Sequence, residues 1–151
     1  MFRLLLGICF VTPALAVSPP EISVDLKSEM ILVFQNTDGG WPKNVAWNQF
    51  KTLTNAVEWF QSNRKRKSTI DNSATYVQIR DLAKAHNKTN NPAYRDAARR
   101  GLEFLLREQR PSGGWRGSDV DAITFNDNAM VGVMQLLKEI THKKNDFDWI
   151  E

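Results

Sequence analysis

Apolar residues along this chain recur mostly at helical spacing. Between Glu21 and Gln35, the side chains of Ile22, Leu26, Met30, Val33 and Phe34 return to one face. Asp38-Gly39-Gly40, with Pro42 behind it, marks the end of that run. The weaker stretch from Val45 to Gln61 holds a helix from Leu53 to Gln61. Ser68 to His86 predicts a helix, with Ser68 and Asp71 at capping-box spacing. Asn91-Pro92 gives an N-cap followed by proline at the first helical position. The helix it opens buries Tyr94, Ala97, Ala98, Gly101, Leu102 and Leu105, and stops at Arg110-Pro111 with Gly113 beyond. Thr124 and Asp127 repeat the capping spacing before a last stripe of Met130, Val133, Met134 and Leu137. No segment sustains strand alternation, so the expected class is all-α.

The pattern repeats. Gln35 and Gln109 each stand four residues before the first glycine of a Gly-Gly-Trp, and Trp41 and Trp115 are 74 positions apart. Thr69, Ile70, Ala74, Ile79 and Leu82 match Thr124, Phe125, Ala129, Met134 and Leu137 at a shift of 55. Each unit reads helix, Gly-Gly-Trp turn, helix. Stacked hairpins of this kind form an α/α toroid or solenoid with one helical layer lining a central cavity. Stability of such arrays needs about three units, so two units predict an incomplete stack. The tail from Asn145 to Glu151 reads like the opening of another segment. A missing C-terminal half, or an oligomer partner, is therefore expected.

Composition narrows the class. With 151 residues, 42% apolar and 25% charged, the chain is at most one ordinary globular domain. Arg3, the apolar run from Leu4 to Val11 and Ala14-Leu15-Ala16 form a signal peptide over residues 1–16, with cleavage expected after Ala16. That apolar run is too short to span a bilayer, so no membrane partner is expected. Cys9 is the only cysteine and leaves with the signal, so the mature part over 17–151 has no disulfide or thiol chemistry. This points to a secreted or periplasmic enzyme. Losing Arg3 reduces the net charge from +3 by one, too little for a nucleic-acid partner. Arg64-Lys65-Arg66-Lys67 is either a solvated loop or a basic lip for an acidic polysaccharide. The five tryptophans either fill the core or stack on sugars.

Four linked motifs carry the chemistry. They are Asp38-Gly39-Gly40-Trp41-Pro42-Lys43-Asn44, Thr69-Ile70-Asp71-Asn72-Ser73-Ala74-Thr75-Tyr76, Gln109 with Gly113-Gly114-Trp115, and Ile123-Thr124-Phe125-Asn126-Asp127-Asn128-Ala129-Met130. Together, in this order and spacing, they resemble the pectate lyases of polysaccharide lyase family 10, over the N-terminal part of that domain. The resemblance implies an α/α toroid-like fold and calcium-assisted β-elimination of polygalacturonate, the backbone of pectin. In that reaction the C5 proton lies α to a carboxylate and is barely acidic. A cation must mask the carboxylate charge, a base must reach the proton, and basic groups must hold the neighbouring uronates.

Carried over by motif, Asp71 and Asp127 are the expected calcium or substrate residues, with Asn72 and Asn126 contributing neutral oxygens. Lys43 is expected on a uronate carboxylate, and Trp41 and Trp115 are expected to shape the cleft. A carboxylate at a helix start also serves as a cap, and that alternative stays open for both aspartates. Lys43 also fits an ordinary turn. Tyr76 fits the core or the surroundings of the site. His86 and His142 carry no assignment. The loop after Trp115, Arg116-Gly117-Ser118-Asp119-Val120-Asp121, is shorter and more polar than the family pattern, which either alters the substrate cleft or marks a subgroup in which Asp119 or Asp121 joins the ion site. The family's base is an arginine in the C-terminal half. Arg80, Arg99, Arg100, Arg107 and Arg116 occur outside any such context, so the catalytic residue is unassigned. Two other classes stay in view: a non-catalytic calcium-dependent protein binding acidic polysaccharide, and a terpene-cyclase-like α/α enzyme sharing the Gln-x-x-x-Gly-Gly-Trp turn.

Overall fold

The computed structural model of the protein describes residues 24–64, 66–117, 121–123, 125 and 128–150. Five α-helices run through them: α1 (Val24–Val33), α2 (Leu53–Ser62), α3 (Tyr76–Thr89), α4 (Pro92–Glu108) and α5 (Ala129–Thr141). Two short 3-10 turns lie at Trp47–Gln49 and Asp71–Ser73. The described residues contain only two isolated β-bridges, Pro42 with Ser68 and Arg116 with Ile123. The all-α expectation holds. None of the described helices is long and apolar enough to cross a membrane.

The best-packed pair is the hairpin α3–α4. Asn90 turns the chain in the left-handed region at φ 56°, which asparagine tolerates. Asn91 then caps α4, its side chain accepting from the Ala93 N–H at 3.0 Å, with Pro92 in the first turn. The apolar face of α4 is the expected one, with Tyr94, Ala97, Ala98, Gly101 and Leu105 buried and Phe104 added. α1 packs on α2, α3 and α4, and α5 packs on α3. Ion pairs cross two of these seams, Lys27 with Asp81 at 2.8 Å and Arg80 with Glu139 at 2.8 Å. The core is led by Trp41, Phe34, Phe147, Met30, Ile31, Ile79, Leu82, Leu105 and Leu136, all fully buried. Phe147 therefore docks the segment after α5 onto the core.

α5 sits close to α3 because Gly132 faces a ring. A Cβ at Gly132 would lie 2.2 Å from Tyr76 Cζ. Alanine there gains about 1 kcal/mol of helix propensity, but forcing α5 off Tyr76 costs more. Gly132→Ala is expected to lower stability by a net ~2 kcal/mol, read as a drop in the urea midpoint. An unchanged midpoint would mean that α5 does not rest on Tyr76 in solution.

The expected helix from Ser68 to His86 begins later, at Tyr76. The capping box is not formed. The Ser68 hydroxyl instead donates to Asp38 Oδ1 at 2.6 Å and accepts from Asn36 Nδ2 at 2.9 Å. Asn72, Ser73 and Thr75 have φ of 48°, 64° and 66°, which no α-helix accommodates. Asp71 is thus freed from the capping role.

Candidate functional site

The two Gly-Gly-Trp turns share one construction. Gln35 Nε2 donates to Gly39 O at 2.8 Å, and Gln109 Nε2 to Gly113 O at 2.9 Å. Asn36 N donates to Gly40 O, and Arg110 N to Gly114 O, both at 2.9 Å. Gly39 and Gly113 take φ of 91° and 85°, conformations that glycine adopts without strain. Trp41 Nε1 then reaches back to Ile31 O and Trp115 Nε1 to Leu105 O, both at 2.7 Å. Ile31 and Leu105 lie in the last turns of α1 and α4, where carbonyls have no intrahelical donor. The motif is a device that closes a helix with an indole.

This corrects the expectation for Trp41 and Trp115. They are 0% and 2% exposed, so neither offers a ring face to a sugar. They shape the site only from beneath, by fixing the turns. The first turn is clamped further. Gln35 Nε2 also donates to Ala97 O at 2.8 Å, Arg100 donates to Gln35 Oε1 at 2.6 Å, and Arg107 donates to Asp38 O at 2.6 Å.

The first turn leads directly into the segment 69–76. Thr69 N donates to Trp41 O at 3.1 Å, and Trp41 N donates to Thr75 Oγ1 at 3.1 Å. Thr75 Oγ1 donates onward to Thr69 O at 2.8 Å. Thr75 has φ 66° and ψ −61°, and Tyr76 N bonds Ala74 O at 2.8 Å, which is a γ-turn of the strained hand. A β-branched residue there costs about 1–3 kcal/mol. The fully buried hydroxyl of Thr75, used twice, holds it in place. Strain of this kind clusters where a fold positions function.

What the strain positions is a pair. Lys43 Nζ lies 3.3 Å from Asp71 Oδ2, with Asp71 buried and Lys43 half-buried. Asn72 Nδ2 donates to Asn44 Oδ1 at 2.8 Å across the same junction. Arg66 Nη2 holds the Lys43 carbonyl at 2.6 Å and lies over the Trp59 ring. Beside the pair is a cavity of about 100 Å³ with Lys43, Asn44, Trp47, Asn72 and Gln78 in its wall. Lys43, Asp71 and Asn72 are thus brought together at one junction. Asn126 and Asp127 lie outside the described residues. Asp121 is exposed and pairs with Arg110 and Arg116, and Asp119 lies outside the described residues.

The remaining cations have other duties. Arg80 is bidentate on Glu139, and Arg100 and Arg107 clamp the first turn. Of the basic run, Lys65 lies outside the described residues. Arg64, Arg66 and Lys67 border a cavity of about 640 Å³ that Asp38, Glu108 and Arg116 also line. His86 Nδ1 lies 3.0 Å from Asn91 O, a structural contact, and His142 is exposed.

The model of the pectic acid lyase family matches residues 35–151. The chain belongs to the pectic acid lyase family. Among solved structures it is similar to a family 10 polysaccharide lyase from Cellvibrio cellulosa, at 29% identity and a TM-score of 0.68, over 84% of this chain and 38% of that one. It is equally similar to an aspartate-to-alanine mutant of a family 10 lyase from that organism in complex with trigalacturonic acid, at 27% identity and a TM-score of 0.67, over 84% of this chain and 39% of that one. The fold is accordingly that of the family 10 lyases, an α/α toroid. The chain spans about two fifths of the length of those enzymes. It also shares 31% identity over 94 residues with a cycloartenol synthase from Dictyostelium discoideum, covering 59% of this chain and 13% of the synthase.

Within this pectic acid lyase framework, sequence reasoning missed Asn44, Trp47 and Gln78. Gln78 had a signal, because it stands four residues from both Ala74 and Leu82 and so puts an amide on an apolar helical face. Trp47 and Asn44 are placed by the turn after Pro42, which no periodicity describes.

Proposed function

We propose that this chain carries part of a polygalacturonate site used for calcium-assisted β-elimination. The observation behind this reading is the Lys43–Asp71 pair at 3.3 Å, bordering a cavity, within two motifs of the matched family. In this reading Lys43 turns from Asp71 to a uronate carboxylate, and Asp71 and Asn72 hold the ion. Their oxygens suit calcium in type, being hard donors. Among the described residues no three His, Cys, Asp or Glu side chains gather around one point, so uronate oxygens and other residues complete the shell. Asp127 and Asn126 are proposed for that role. When bound, the ion neutralises the carboxylate beside the C5 proton and makes that proton more acidic. Lys43 and Asn72 orient the uronate, and the bonds of Thr69 and Thr75 to Trp41 keep the two loops in register. No base is assigned to this chain. Export through residues 1–16, cleaved after Ala16, belongs to the same proposal.

The test is turnover by the purified chain on polygalacturonate, followed through near-ultraviolet absorbance of the C4–C5 unsaturated product, alongside calorimetric titration with trigalacturonate. Calcium-dependent binding abolished by chelator is the expected result, and calcium-dependent product would show in addition that this chain holds a base. Calcium-dependent binding without product would leave this chain the binding part of a longer lyase, as the unassigned base favours. Neither binding nor product would overturn the reading. The cycloartenol synthase similarity supplies no second function, because it covers 13% of that enzyme.

A further inference from the structure

Gln78 is 6% exposed, on the first turn of α3, and its Oε1 has no hydrogen-bond donor among the described residues. It is the only buried side-chain oxygen or nitrogen so left among them. Buried polar atoms are paired in the great majority of cases, and an unpaired one disfavours the folded state. An amide kept on an apolar face, against that tendency, calls for a partner outside the described chain. Gln78 lines the same cavity as Lys43, Asn44 and Asn72, so rotation of its amide turns the buried Oε1 toward that space, and a partner there must be small and polar and must donate a hydrogen bond. A sugar hydroxyl meets all three conditions.

We propose that Gln78 reads a ring hydroxyl of the saccharide whose carboxylate pairs with Lys43, and so sets specificity for a sugar with that hydroxyl free. The inference rests on the uronate reading of the Lys43 site. It makes Gln78 a binding residue, separate from the ion and from the unassigned base.

The experiment compares the purified chain with Gln78→Met by calorimetric titration with trigalacturonate in calcium, and by thermal melting. Methionine keeps the length and helix preference of glutamine and removes the orphaned oxygen. The expected outcome is a melting temperature equal to or above that of the original chain, with affinity about tenfold weaker, the scale of one hydrogen bond. A parallel titration uses trigalacturonate acetylated on its ring hydroxyls. The original chain should prefer the unacetylated sugar, and Gln78→Met should lose the preference, because a site built around a hydroxyl rejects ligands that lack it. Unchanged affinity or retained preference in Gln78→Met would overturn the proposal and assign Oε1 to a bound water. A lower melting temperature with weakened binding would assign Gln78 a structural role and overturn it equally. Failure of the original chain to bind trigalacturonate at all would instead remove the uronate reading itself, and this inference with it.

Discussion

Trp41→Ala is expected to destabilise the chain by about 3–5 kcal/mol, the range for emptying the site of a large buried aromatic. The ring is 0% exposed and packs where Gly101 would place a Cβ 2.8 Å from its Cζ3. Its removal opens a void between α3, α4 and the first turn, and it leaves Ile31 O without the indole donor at 2.7 Å. A domain with a total stability of about 5–15 kcal/mol has little margin for that loss. Trp41→Phe keeps most of the volume but deletes the donor and leaves a smaller void, so it should cost less, about 1–3 kcal/mol. Urea unfolding of the three proteins measures both. The opposite pattern, with stability unchanged and trigalacturonate binding lost, would make Trp41 a sugar platform and refute the helix-closing role.

That prediction marks where the sequence was informative and where it misled. Periodicity and caps located the helices well, because amphipathic spacing and signals such as Asn91-Pro92 are local. The Gln-x-x-x-Gly-Gly-Trp repeat was visible as text, but its meaning was not. An indole that stacks on sugar and one that bonds a helix-end carbonyl look the same in a sequence. The difference is a ten-residue reach back to Ile31 or Leu105, a tertiary fact.

The segment 68–76 shows the same limit from the other side. Ser68 and Asp71 have the spacing of a capping box, and that local preference is real. It loses to contacts from more distant residues: Asp38 and Asn36 take the Ser68 hydroxyl, and Trp41 and Thr69 take that of Thr75. Together they hold Asn72, Ser73 and Thr75 at positive φ. The motifs still singled out Lys43, Asp71 and Asn72, because they are read by residue type and spacing and do not depend on where the helix begins. Gln78 escaped because it lies outside the quoted motifs, and its orphaned oxygen is apparent only once the cavity is seen.

Asp71→Asn should weaken calcium-dependent binding of trigalacturonate about a hundredfold or more, the scale of removing one charged member of a desolvated cluster. The carboxylate is the only anionic oxygen donor that the described residues place against Lys43, and an amide in its place offers calcium a neutral oxygen only. Two effects oppose each other here. Losing the negative charge removes an ion ligand, but it also frees the Lys43 ammonium from its 3.3 Å partner, which by itself favours a uronate carboxylate. Calcium separates them. With calcium the loss of the ligand dominates and binding falls. With chelator, Asp71→Asn should bind the trianion as well as the original chain or somewhat better, since one repulsive charge is gone. Stability should change less than for Trp41→Ala, because asparagine keeps the shape of Asp71 and still offers Lys43 an acceptor oxygen. Binding that rises equally with and without calcium would show that Asp71 only restrains Lys43, and would move the ion to other residues. Binding that falls equally in both conditions would show that Asp71 matters by holding Lys43 in position.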